Sequence, residues 1–171
     1  AGPPLVISGI SVPAGGNVLL VYRATVNDYA APGEGGSVVN TVTVSGGGIT
    51  EAVTATETVT ADTAALLGIT KALNPTVVAE NGQIVYTFTI QNTGAESADA
   101  AAGLIVSDTF DPILRAPISV TLNGEAWGET GNYSYNATTG AFATIAGRIT
   151  VPAATYTQDA ATGLWTITPG V

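Results

Sequence analysis

Residues 84–91 read Ile-Val-Tyr-Thr-Phe-Thr-Ile-Gln. Ile84, Tyr86, Phe88 and Ile90 fall on one side of an extended chain, and Thr87, Thr89 and Gln91 on the other. A two-residue period of this kind marks a strand with one buried face. The same alternation recurs in Asn17–Val26, where Val18, Leu20, Tyr22, Ala24 and Val26 share a face. Further strands are expected at Leu5–Ser8, Val38–Ser45, Ile49–Thr60, Leu67–Leu73, Gly103–Thr109, Ile118–Leu122, Tyr133–Asn136, Ala141–Ile145 and Thr166–Thr168. All are rich in Val, Ile and Thr, residues whose branched side chains suit a pleated surface.

Turn signals separate these segments: Ala14-Gly15-Gly16, Pro32–Gly36, Gly46-Gly47-Gly48, Glu80-Asn81-Gly82, Asn123-Gly124 and Thr138-Thr139-Gly140. Asn123-Gly124 predicts a two-residue hairpin between Val120-Thr121-Leu122 and Glu125-Ala126-Trp127. No stretch has the 3.6-residue periodicity of an amphipathic helix. The Ala-rich run Ala95–Ala102 is bracketed by Gly94 and Gly103 and reads as a loop or single turn. The expected fold is all-β, with antiparallel strands arranged as sandwich layers.

Composition narrows the function. The 171 residues are 46% hydrophobic, only 10% charged, and include 21 glycines. A net charge of −9 gives no electrostatic footprint for nucleic acid or for an anionic membrane. His and Cys are absent, which removes imidazole acid–base chemistry, thiol nucleophiles, disulfides and the common zinc and haem sites. No apolar stretch approaches the roughly 18 residues of a membrane span. Met is absent too, and the last residues fall in mid-pattern, so the chain reads as processed or as a piece of something longer.

Residues 51–63 close one unit, and Leu66–Leu73 opens another with a fresh strand pattern. The boundary is placed at 63–66, giving units 1–63 and 64–171.

Three ordered motifs carry a resemblance. They are Ile69-Thr70-Lys71-Ala72-Leu73-Asn74-Pro75, then Asn81–Gly94 (NGQIVYTFTIQNTG), then Val106-Ser107-Asp108-Thr109-Phe110-Asp111-Pro112. This series resembles the conserved repeat domain of unknown function number eleven of bacterial surface proteins. Its pattern is a lysine strand, a G-x-x-(V/I)-x-Y-T-(F/I) strand, N-T-G, and (V/T)-x-D-T. Ile149–Asp159 is similar to a subgroup from Gram-positive anaerobes. Val12–Val18, Tyr22–Asn27 and Asn40–Val44 resemble the C-terminal half of the same domain. On this resemblance, residues 1–63 are the tail half of one repeat and 64–171 the head of the next. It implies a secreted, Ig-like building block of a fibre, spore or cell appendage, or surface layer. The implied partners are copies of itself, with no cofactor, no small-molecule substrate and no enzyme activity on a substrate.

Three polar residues interrupt apolar faces. Lys71, the only lysine, is in step with Leu67, Ile69 and Leu73. Asp108 is in step with Leu104, Val106 and Phe110, and Asn40 with Val38, Val42 and Val44. A core-facing ammonium must be paired, neutral or chemically consumed. One reading is a Lys71–Asp108 ion pair, or a lysine reaching the sheet edge. The other is an isopeptide bond from Lys71 to Asn40, with Asp108 as the acid that moves protons and ammonia as the by-product. In the family pattern the lysine strand precedes the asparagine strand of its own domain. Here Asn40 comes first, so the resemblance implies that such a bond would join two copies by strand complementation.

Other signals are weaker. Asp99, Asp108, Asp111 and Asp159 lack the alternating spacing of a calcium loop. Asn132-Tyr133-Ser134 and Asn136-Ala137-Thr138 match the short glycosylation sequon. Trp127, Tyr133, Tyr135 and Trp165 are either core packing or a sugar-stacking platform. An exposed aromatic platform would favour the alternative function, an adhesin or carbohydrate-binding module.

Overall fold

The computed structural model describes residues 4–115, 117 and 119–171. Eleven strands follow one another among these residues: β1 Ser37–Val44, β2 Val53–Thr60, β3 Leu67–Asn74, β4 Val85–Asn92, β5 Ser107–Thr109, β6 Thr121–Leu122, β7 Glu125–Ala126, β8 Tyr133–Asn136, β9 Ala141–Thr144, β10 Thr155–Gln158 and β11 Trp165–Thr168. A single 3-10 turn, Ala100–Ala102, is capped by the Asp99 carboxylate. Among the described residues no helix is long and apolar enough to cross a membrane.

Every strand pairing is antiparallel. The ladders are β1–β2, β3–β4, the three-stranded β5–β9–β8, the β6–β7 hairpin and the β10–β11 hairpin. The protein is therefore all-β, in keeping with an Ig-like arrangement, but the described strands do not close a sandwich. Short bridges tie the ladders together: Asn92 pairs with Gly170, and Ala98 with Val151.

The alternation read in residues 84–91 holds through β3–β4. Leu67 faces Asn92, Ile69 faces Ile90, Lys71 faces Phe88 and Leu73 faces Tyr86, all on one side of the ladder. Phe88 and Ile90, with Leu104 and Trp127, pack on the buried cluster Ala98, Val106, Ile149 and Val151. Tyr133 and Ala154 are buried nearby. The Asn123-Gly124 hairpin forms as expected between β6 and β7. Both residues have positive φ, 51° and 86°, the condition of the two-residue turn that matches strand twist.

Asn92 is the largest side chain that is fully buried. Its Oδ1 accepts from the N–H groups of Leu66 and Gly94, each at 2.9 Å. Its Nδ2 donates to the carbonyls of Glu96 at 2.7 Å and Pro152 at 3.0 Å. One amide thus gathers the start of β3, the end of β4 and the segment before β10.

Two expected strands do not form. Leu5–Ser8 and Asn17–Val26 belong to no ladder among the described residues. The strand expected from Gly103 is confined to β5, and the one expected from Ile49 starts at Val53. Residue 118, where another was expected to begin, lies outside the described residues, and the strand there is Thr121–Leu122.

Residues 4–60 contribute little to the core. All of β1 and β2 is exposed, and neither strand comes near any strand but the other. The ribbon joins the rest through residues 61–66 and a few local contacts. The Trp165 N–H donates to the Asp28 carbonyl at 2.8 Å, and Gly33 lies close against the Tyr156 ring.

Candidate functional site

Lys71 and Asp108 come together. Lys71 lies in β3 and Asp108 in β5, and Nζ donates to Oδ2 at 2.6 Å. The β3–β4 register places Lys71 beside Phe88 and, one pair along, Tyr86. The ammonium lies 4.9 Å from the Tyr86 ring centre and 5.6 Å from that of Phe88, within reach of a cation–π attraction. Phe110 stacks behind Tyr86 at 5.2 Å and reaches Tyr135 at 5.9 Å. Asp108 is also fixed by the Thr109 N–H at 3.0 Å on its other oxygen.

The site is open on one side. Asp108 is 14% exposed but Lys71 is 42% exposed. Lys71 faces the inner side of the ladder, as its parity requires; β5 reaches it through Asp108, while the β3 half of that side stays largely open. Leu67, Ile69 and Leu73 beside it are 38%, 57% and 44% exposed. Leu67, Ile69 and Ile90 meet Leu104–Ser107 across an open apolar groove of about 280 Å³. Such an apolar face ordinarily belongs against another layer.

Asn40 stands elsewhere, in β1. Its Nδ2 donates to the Tyr22 hydroxyl at 3.2 Å. Among the described residues no hydrogen bond connects it to Lys71 or Asp108 within one chain. Register places Val38, Asn40, Val42 and Val44 opposite Val59, Glu57, Ala55 and Val53. The ribbon therefore has one apolar face with a polar pair, Asn40 and Glu57, in its middle. Its other face is Ser37, Val39, Thr41 and Thr43 opposite four threonines. Glu57 drew no notice in the sequence, because its neighbours Thr56 and Thr58 make Thr54–Thr60 look like a polar run. Only the pairing with Asn40 gives it meaning.

Around Trp127 the aromatic residues pack on one another. Trp127, Tyr133 and Phe142 stack on one another at 6.1 and 5.2 Å, with Tyr133 buried and Trp127 packed on the core. Tyr135 turns its hydroxyl to the Leu114 carbonyl at 2.6 Å. The two sequon asparagines serve local turns: Asn132 Nδ2 donates to the Gly128 carbonyl, and Asn136 Oδ1 accepts from the N–H groups of Thr138 and Thr139.

Comparison with known proteins adds no relative: no family model, no curated protein and no solved structure matches this chain.

Proposed function

We propose that this chain is a structural subunit of a bacterial extracellular fibre or surface appendage, assembling by strand complementation between copies. The tail half of one copy, residues 1–63, covers the open face of the head half, residues 64–171, of the next. The observation that carries this reading is the pair of matching open surfaces. One is the ribbon β1–β2, whose apolar face touches no other strand. The other is the β3–β4 face beside the groove, with Leu67, Ile69 and Leu73 uncovered.

The size of the exposed surface supports association. Burying a Val, Leu or Ile side chain contributes roughly 1.5–3 kcal/mol each. Leu19, Val21, Val39, Val53 and Val59 are each more than 60% exposed in the single chain. Unpaired strand edges beside such surface are templates for another copy. Head-to-tail pairing of unlike surfaces builds an open filament where the rotation from copy to copy does not close a ring. A Lys71–Asn40 amide would lock each joint, and secretion to the cell or spore surface follows from the family resemblance.

The test is electron microscopy and sedimentation of the purified full chain over a range of concentrations. Filaments whose length grows with concentration support the reading. A monomer at every concentration and salt level overturns it.

A further inference from the structure

We infer that Glu57 is the proton-transfer residue for an amide bond between Lys71 of one copy and Asn40 of the next, and that Tyr22 positions the Asn40 carboxamide. This rests on the fibre reading above and assigns roles within that joint.

Two half-sites lie on separate surfaces. The first pairs Lys71 with Asp108 at 2.6 Å, on the open face of β3. The second holds Asn40 directly across the ladder from Glu57, with the Asn40 nitrogen held by the Tyr22 hydroxyl at 3.2 Å. Directly opposed residues of an antiparallel pair have Cβ atoms about 5 Å apart, so a glutamate reaches its neighbour's carboxamide. Each half-site is a polar interruption of an otherwise apolar row: Leu67, Ile69, Lys71, Leu73 in β3, and Val38, Asn40, Val42, Val44 in β1. Laid face to face, the rows match apolar to apolar. The one lysine then meets a glutamate and an asparagine. Charge complementarity and the equal eight-residue lengths of the strands select a second copy of this chain as the occupant.

The chemistry balances without any outside reagent. Asp108 takes one proton from the Lys71 ammonium. The freed lone pair attacks Asn40 Cγ. Glu57 carries the second Nζ proton to Nδ2. The Cγ–Nδ2 bond breaks, ammonia leaves, and the Nζ–Cγ amide remains.

A mixing experiment with full-length chains tests this. A Lys71→Ala chain supplies only Asn40, and an Asn40→Ala chain supplies only Lys71. Neither should crosslink alone. Mixed, they should give one boiling-resistant dimer, lighter than the sum of its chains by about 17 Da, the mass of ammonia. Glu57→Gln placed in the Asn40-supplying chain should slow dimer formation by about 100-fold or more. Placed in the Lys71-supplying chain it should change nothing. Tyr22→Phe should slow the reaction only when it sits with Asn40. Equal effects in both chains, or none in either, overturn the assignment of Glu57. Filaments that never survive boiling overturn the bond but leave the fibre standing. Absence of filaments and dimers alike overturns both.

Discussion

Lys71 Nζ and Asp108 Oδ2 lie 2.6 Å apart across two ladders, although 37 residues separate them in the chain. The pair is asymmetric. The ammonium has a way to water and two aromatic faces beside it, while the carboxylate is nearly covered. Removing the lysine therefore strands a covered charge, whereas removing the acid frees a lysine that swings outward. Lys71→Met should cost about 2 kcal/mol and Asp108→Asn about 1 kcal/mol, between the values for surface pairs and buried pairs. The double variant should cost less than the sum of the two. Urea unfolding of the four proteins checks this, and additive costs would mean that the pair is uncoupled.

Asn92 should be the most sensitive polar position of the fold. Its amide satisfies four backbone groups around the ends of β3 and β4. Asn92→Ala leaves them without partners, at about 3 kcal/mol or more. Asn92→Asp keeps the two accepted bonds but sets an oxygen against the Glu96 and Pro152 carbonyls, so it should rescue little. Thermal melts decide. A shift of only a degree or two for Asn92→Ala would show that water replaces the amide readily.

Asp159 organises the turn into β11. The Thr162 N–H, the Thr162 hydroxyl and the Ala161 N–H all donate to its carboxylate and hold its pKa below the ordinary 3.8. A lowered folded-state value means that the turn gains stability above the unfolded pKa. That gain is lost as pH falls through the depressed value. Carbon-detected NMR titration should place Asp159 below 3.8, and Thr162→Val should move it back up. An unchanged Asp159 in that variant would assign the shift to the backbone donors alone.

The legible part of this molecule is what period two controls. The alternation in residues 84–91 gave the inner face of β4, and the parity of Lys71 and Asp108 brought them to one interior even though they lie in different ladders. Asn123-Gly124 gave its hairpin because two consecutive positive φ values admit few other residues. Asn17–Val26 has the same alternation and pairs with no strand among the described residues, so alternation alone does not make a ladder. The role of Asn92 was hidden for a related reason. The N-T-G motif was visible, but the four groups it joins come from positions 66, 94, 96 and 152, which only the fold assembles. Residues 155–158 sat inside a recognisable motif yet carried no strand expectation, because Thr155-Tyr156-Thr157-Gln158 lacks an apolar row. They pair with β11 all the same, held by four ladder positions and the bridge near Gly170.

Adjacent residues of β1 offer the cleanest test of assembly. Val42 lies on the apolar face with Asn40, and Thr43 on the threonine face. Both are exposed in the single chain, so a lysine at either site should alter monomer stability by no more than about 0.5 kcal/mol. Only Val42→Lys would place a charge inside the joint, where an unpaired ammonium is costly. Val42→Lys should therefore stop filament growth, and Thr43→Lys should leave it intact. Ile69→Lys, on the opposing face of β3, should reproduce the block. Sedimentation of the three variants reads the outcome. Equal loss of assembly at positions 42 and 43 would mean that edge pairing, not face burial, joins the copies.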